Sequence, residues 1–314
     1  MIAKMAKLFG IGAQDHAEPN RLRLIVIWAT ILVASPLAII PWRTFATHEP
    51  FWWPWMHAIV LLALLALTLF HPALRSLRRY SVIMVIIFPL GYGGGWDWGL
   101  IPFVRSSALW ANWITTAPKV IYEIALHLLR LTPAVTILAF LLVTGRKRVN
   151  FYLVKGNIHA TVGRSRLIGA KNSGSWIRVA MVFVAVFVTV TVVFLLGAYG
   201  FPASGFSQNW CLIPVALLVA AMNGFNEEFT LRAAPLGELR PAVGSSSALI
   251  ATSAYFGLGH YYGVPNGVIG VLLSMFLGWL LGKSMLETRG FFTAWFVHFL
   301  TDIPIFVFFI VGGI

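Results

Sequence analysis

Charge is what this sequence has least of. Ten carboxylates and 23 lysines and arginines make up 11% of 314 residues, where a soluble domain carries about a quarter. That shortage excludes a water-soluble globule, because the composition cannot supply its polar surface. The single cysteine, Cys211, excludes an intrachain disulfide framework and any multi-cysteine metal site. No H-E-x-x-H is present for a zinc peptidase, since His48-Glu49 is followed by proline and has no second histidine at the required spacing. No serine stands in a G-x-S-G context. Cys211 lies about 24 Å along a helix from Glu227, too far for a catalytic dyad. Nucleic-acid modules and basic–aromatic interleaving are also missing, so the net charge of +13 points to a membrane surface and not to nucleic acid.

What the chain has instead is apolar length. Hydrophobic residues are 59% of it, in runs near the roughly 20 helical residues that cross a hydrocarbon core. Nine segments stand out: Leu24–Ile40, Phe51–Phe70, Tyr80–Tyr92, a stretch ending near Val143, Val179–Tyr199, Trp210–Arg232, Ser245–Tyr262, Val268–Leu286 and Phe291–Ile310. The third is short and runs into the glycine-rich 91–99 stretch, so it can be half-inserted. The fourth begins at Pro118–Arg130, which carries Glu123, His127 and Arg130. This part reads as an interfacial helix with a snorkelling arginine and a wet glutamate, feeding a short span containing Pro133. The first run follows a polar leader of 23 residues without a small-residue cleavage site, so it reads as a permanent span. The expected fold is an all-α, polytopic transmembrane bundle of about eight or nine spans.

Basic residues mark alternate connections. Lys4, Lys7, Arg21 and Arg23 precede the first segment, and Arg75, Arg78 and Arg79 follow the second. Eight lysines and arginines with no acid lie between Gly145 and Arg178. Arg232 and Arg240 follow the sixth segment, and Lys283 and Arg289 the eighth. The positive-inside rule then predicts a cytoplasmic N-terminus, in a plasma or cytoplasmic membrane, and an outside C-terminus if there are nine spans. The basic connection at 145–178 divides a four-span half (1–144) from a five-span half (179–314), and it can hold anionic headgroups electrostatically.

An ionisable residue inside a span costs about 2.5–3.5 kcal/mol on insertion scales, so each is a functional candidate. The sixth segment ends N-G-F-N-E-E-F-T-L-R, where Glu228 and Arg232 are i,i+4 neighbours able to pair. Glu227 points about 100° away and lacks that partner. An unpaired carboxylate in a low-dielectric site suits a general base; a purely structural Glu–Arg pair at the membrane boundary is the alternative. The seventh segment has His260 four residues after Phe256, as a packing histidine or a functional one. The ninth puts His298 and Asp302 on one face as a hydrogen-bonded pair or proton relay. Together these groups suffice to activate water and stabilise an oxyanion.

The ordered trio E-E-x-x-x-R at Glu227–Arg232, F-x-x-x-H at Phe256–His260 and H-x-x-x-D at His298–Asp302 resembles the motifs of the CPBP family. That family includes type II CAAX prenyl endopeptidases and bacteriocin-processing or immunity-associated membrane proteins. The resemblance covers about residues 210–310. It implies an intramembrane protease without a metal, in which Glu227 activates water with His260 as partner and His298 helps bind the oxyanion, joined by the residue that ends its motif. Glu228 and Arg232 take supporting positions. Similar prenyl proteases have asparagine where this chain has Asp302, so Asp302 is expected to orient His298 or to be protonated. The substrate is expected to be a membrane-associated polypeptide, prenylated or not. Zinc held by Glu227, His260 and His298 is the chemical alternative. A non-catalytic scaffold and a proton-coupled transporter are the functional ones. Loop charges place Glu227 and His298 within about 10 Å of the cytoplasmic face and His260 deeper, so convergence needs an inward dip at Pro241–Ser247, a tilted span, or a Tyr261–Gly267 turn that sits within the protein.

Overall fold

The computed structural model describes residues 20–46, 48–91 and 97–313; Lys4, Lys7 and most of the polar leader lie outside them. The fold is helical, and among the described residues β-structure is limited to two isolated bridges in the basic connection. The main helices are α1 (Arg21–Ala34), α2 (Trp53–Phe70), α3 (Arg78–Ile87), α4 (Lys119–Arg130), α5 (Thr132–Val143), α6 (Trp176–Tyr199), α7 (Ile213–Glu227), α8 (Ala234–Gly259), α9 (Gly267–Thr288) and α10 (Phe292–Phe306). α7 continues through a π-helical turn, Glu228–Ala233, into α8.

Six helical runs among the described residues are long and apolar enough to cross a membrane, fewer than the eight or nine expected. Three causes account for the difference. The first segment stops at Ser35, before Pro36, and resumes only as a short helix from Ile40. The third forms a helix of 10 residues, about 15 Å long and too short to span. The sixth and seventh share one helical run, 203–259. That run does not stay straight. The guanidinium of Arg232 lies 4.2 Å from the ring centroid of Phe256, although 24 helical residues would separate them by about 36 Å. The reversal falls at Gly244, whose φ of 78° and ψ of 162° belong to a region open essentially only to glycine.

This helical hairpin corrects the expected depths. Arg232, counted above as a loop charge, is fully buried, because the helix continues past it to the turn. Lys283 is likewise inside α9 and 1% exposed. Glu227 lies seventeen residues before Gly244 and His260 sixteen after it, so both stand about 25 Å along the hairpin arms from the turn. Two arms of nearly equal length bring them level, with the reversal falling inside Pro241–Ser247.

Around the hairpin, α9 packs on α8 and α10 packs on α7 and α6. A single apolar core joins α1, α3 and α5 to α8 and α10, from Ile27 and Ile83 to Phe256 and Val297. The basic connection is tied down at both ends. Arg146 pairs with Glu238 of α8 at 2.7 Å. Glu287 of α9 accepts hydrogen bonds from the Gly163 amide and the Trp176 indole, both at 2.9 Å, and pairs with Lys283.

Candidate active site

The site forms where α7, the end of α8 and the middle of α10 meet. Glu227 is the last residue of α7 before the π-helical turn; such turns insert one residue and often mark functional sites. Its Oε2 lies 3.5 Å from Nε2 of His260 and 3.7 Å from Nε2 of His298. The three residues expected to act together therefore do converge, from helices separated by up to 71 positions in the chain.

Each imidazole is oriented through its other nitrogen. His260 Nδ1 is 2.8 Å from the carbonyl oxygen of Phe256. A carbonyl only accepts, so Nδ1 carries the proton and Nε2 faces Glu227. His298 Nδ1 is 2.6 Å from Oε1 of Glu228, and the carboxylate of Glu228 also pairs with Arg232 one helical turn on. His298 is thus held chiefly by Glu228; Asp302 stands farther off, 3.6 Å from Nε2. Glu228 is directed at His298 and Arg232, away from Glu227. Phe256 packs between these groups: its ring meets His260 at 4.4 Å, His298 edge-on at 6.0 Å and the Arg232 guanidinium at 4.2 Å. The cation–π contact suits a fully buried guanidinium. Gly278 of α9 leaves it space, since a Cβ there would sit 3.3 Å from an Arg232 nitrogen.

Two residues of the site carried no motif. The amide of Asn223 donates to Asp302 Oδ2 at 2.9 Å and to Glu227 Oε1 at 3.2 Å. Asn223 therefore bridges two carboxylates that would otherwise repel. Its position four residues before Glu227, on the same helical face, is the one sequence signal that could have found it. His127 of α4, read above as part of an interfacial helix, is 3% exposed and meets Phe306 of α10 edge-on at 5.3 Å. It also lies within electrostatic reach of Glu227, as does Arg130. Nothing in the spacing of His127 announces this neighbour.

Access divides the set. Glu228 and Arg232 are fully buried and the side chains of His298 and Asp302 nearly so, while those of Glu227 and His260 keep 12% and 24% exposure. Glu227 and His260 are thus the least enclosed side chains of the set, while Oε2 of Glu227 itself is buried and has no hydrogen-bond partner among the described residues. Among the described residues no group of three histidine, cysteine, aspartate or glutamate side chains is arranged to hold a metal ion.

Residues 209–304 match the Rce1-like family of type II CAAX prenyl endopeptidases. The matched segment, under a third of the chain, contains Glu227, Glu228, Arg232, Phe256, His260, His298 and Asp302. The apolar helices are those of an integral membrane protein. No curated protein and no solved structure matches the chain.

Proposed function

We propose that the Rce1-like segment hydrolyses a peptide bond in a membrane-associated polypeptide, with water activated by Glu227 and without a metal. The observation that carries this reading is the convergence of His260 and His298 on a Glu227 oxygen that is buried and otherwise without a hydrogen-bond partner among the described residues. In the proposed reaction a water donates one hydrogen to Glu227 Oε2 and the other to His260 Nε2, which is free to accept because Nδ1–H is engaged by Phe256. Glu227 takes the proton as the water oxygen bonds to the peptide carbonyl carbon. The oxyanion that forms is met by His298, whose ring is held by Glu228 and carries a second proton on Nε2. Collapse of the tetrahedral intermediate breaks the C–N bond, and the proton on Glu227 passes to the leaving amine. By the positive-inside rule the arginine-rich end near Gly244 faces the cytoplasm.

The test is cleavage of a panel of prenylated and unprenylated peptides by the purified, detergent-solubilised protein, with Glu227→Gln in parallel. Loss of a general base costs about 10²–10⁴-fold, so wild type should cleave and Glu227→Gln should be inert while melting at a similar temperature. Equal cleavage by both proteins would remove Glu227 from the mechanism. Activity abolished by a chelator and restored by zinc would replace it with a metal mechanism. The preference of wild type within the panel decides whether prenylation is required.

A further inference from the structure

A cavity of about 390 Å³ opens between the start of α3 and the end of α5, lined by Arg75, Arg78, Arg79, Val82, Phe140 and Thr144. None of its three guanidinium groups has a carboxylate partner among the described residues. Arg78 donates to the carbonyls of Thr68 and Leu69 at the end of α2, at 3.1 and 2.5 Å. Arg79 donates to the carbonyl of Thr144 at 3.3 Å. These bonds orient both side chains but leave their charge uncompensated, and the Arg75 side chain makes no hydrogen bond among the described residues. Three unpaired guanidinium groups around one cavity repel one another unless an anion enters.

A neighbouring cavity of about 350 Å³, lined by Arg146, Tyr152 and Arg240 among others, provides the contrast. There Arg146 is neutralised by Glu238 at 2.7 Å, and Arg240 donates to the Tyr152 hydroxyl at 3.4 Å. Arg146 of that cavity thus has a carboxylate partner, which none of the three arginines of the first cavity has among the described residues.

The walls say which kind of anion fits. Val82 and Phe140 continue the cavity onto the apolar faces of α3 and α5, and α5 belongs to a membrane-crossing run whose Val135, Leu142 and Val143 are exposed. A ligand with a phosphate head and an acyl tail would meet guanidinium groups and then hydrocarbon. We propose that this cavity binds the phosphodiester headgroup of an anionic phospholipid, in the leaflet toward which the positive-inside rule turns the arginine-rich end. The inference does not depend on the protease reading, since no residue of the cavity belongs to the candidate site.

The experiment is native mass spectrometry of the purified protein with phosphatidylglycerol or phosphatidylcholine, and with inorganic phosphate as competitor. Three proteins are compared: wild type, Arg75→Gln/Arg79→Gln, and Arg164→Gln/Arg166→Gln, which removes the same charge from exposed positions of the basic connection. Wild type should retain one phosphatidylglycerol in preference to phosphatidylcholine. The Arg75/Arg79 variant should lose that binding at least tenfold, while the Arg164/Arg166 variant keeps it. Should the double variant fail to fold, Arg75→Gln alone, which disrupts no internal hydrogen bond, is expected to weaken retention severalfold. Equal losses in both double variants, or none in the Arg75/Arg79 variant, would overturn the site in favour of diffuse attraction. Displacement of the lipid by millimolar inorganic phosphate would overturn the lipid assignment and leave a soluble phosphate site.

Discussion

Nδ1 of His298 donates to the carboxylate of Glu228 at 2.6 Å, across 70 positions of sequence, while the same carboxylate pairs with Arg232 on its own helix. One buried acid thus neutralises a guanidinium and orients an imidazole. Glu228→Gln keeps the shape of the side chain but leaves Arg232 without a counter-charge in the core. Breaking such a pair costs about 3–5 kcal/mol, measurable as a drop in thermal midpoint. Glu228→Gln/Arg232→Met should recover part of that stability, because no unpaired charge remains. It should not recover peptide cleavage, since His298 is still held by a neutral amide. Full recovery of cleavage in the double variant would reduce Glu228 to a structural role.

Asn223 gives a second test, set by charge. Asn223→Ala removes one donor shared by Glu227 and Asp302 and is expected to lower kcat about tenfold, the scale of a lost charge-assisted hydrogen bond of roughly 1.5 kcal/mol or more. Asn223→Asp puts a third carboxylate between the two and should be more damaging. Asp302→Asn retains an oxygen that can accept from Asn223, so cleavage should stay within about tenfold of wild type. A larger loss with Asp302→Asn than with Asn223→Asp would mean that the negative charge of Asp302 is itself needed.

Gly244 sets the level at which the hairpin arms meet. Any Cβ at its φ of 78° and ψ of 162° costs about 1–3 kcal/mol. Gly244→Ala should therefore lower the thermal midpoint, and its cleavage defect should be relieved by cooling. An unchanged midpoint would show that the turn adopts another conformation.

At the far end of the hairpin, Arg43 donates two hydrogen bonds to Glu49, at 3.0 and 2.9 Å, reaches Asp97 at 2.8 Å and lies 5.0 Å over the ring of Tyr262. This clasp ties the segment after His260 to the N-terminal half. The hydrogen bonds from Arg43 hold the Glu49 carboxyl below its ordinary range. A depressed carboxylate contributes stability that is present above its unfolded value, about 4.3, and lost as pH falls through its lower folded value. Amides near Tyr262 should exchange faster in acid than at neutral pH, beyond the intrinsic dependence. Arg43→Ala should exchange faster throughout and lose the pH response; a variant indistinguishable from wild type at neutral pH would dismiss the clasp.

The sequence by itself determined the solvent, the helical class and most residues of the candidate site. Scarce charge and long apolar runs leave only lipid, and lipid leaves only helices for this pattern. Glu228 with Arg232 and Phe256 with His260 were legible because a spacing of four keeps side chains on one helical face, whatever the helix packs against. Tertiary structure decided the rest. The sixth apolar segment ends at Arg232 in the sequence, yet Pro235 falls in the first turn of α8 and the helix runs on to Gly244. The burial of Arg232 turned on that continuation. The bridge from Asn223 to Asp302, the hold of Glu228 on His298 and the approach of His127 join separate helices. No local period encodes such contacts, because they depend on where helices lie once their apolar faces have packed.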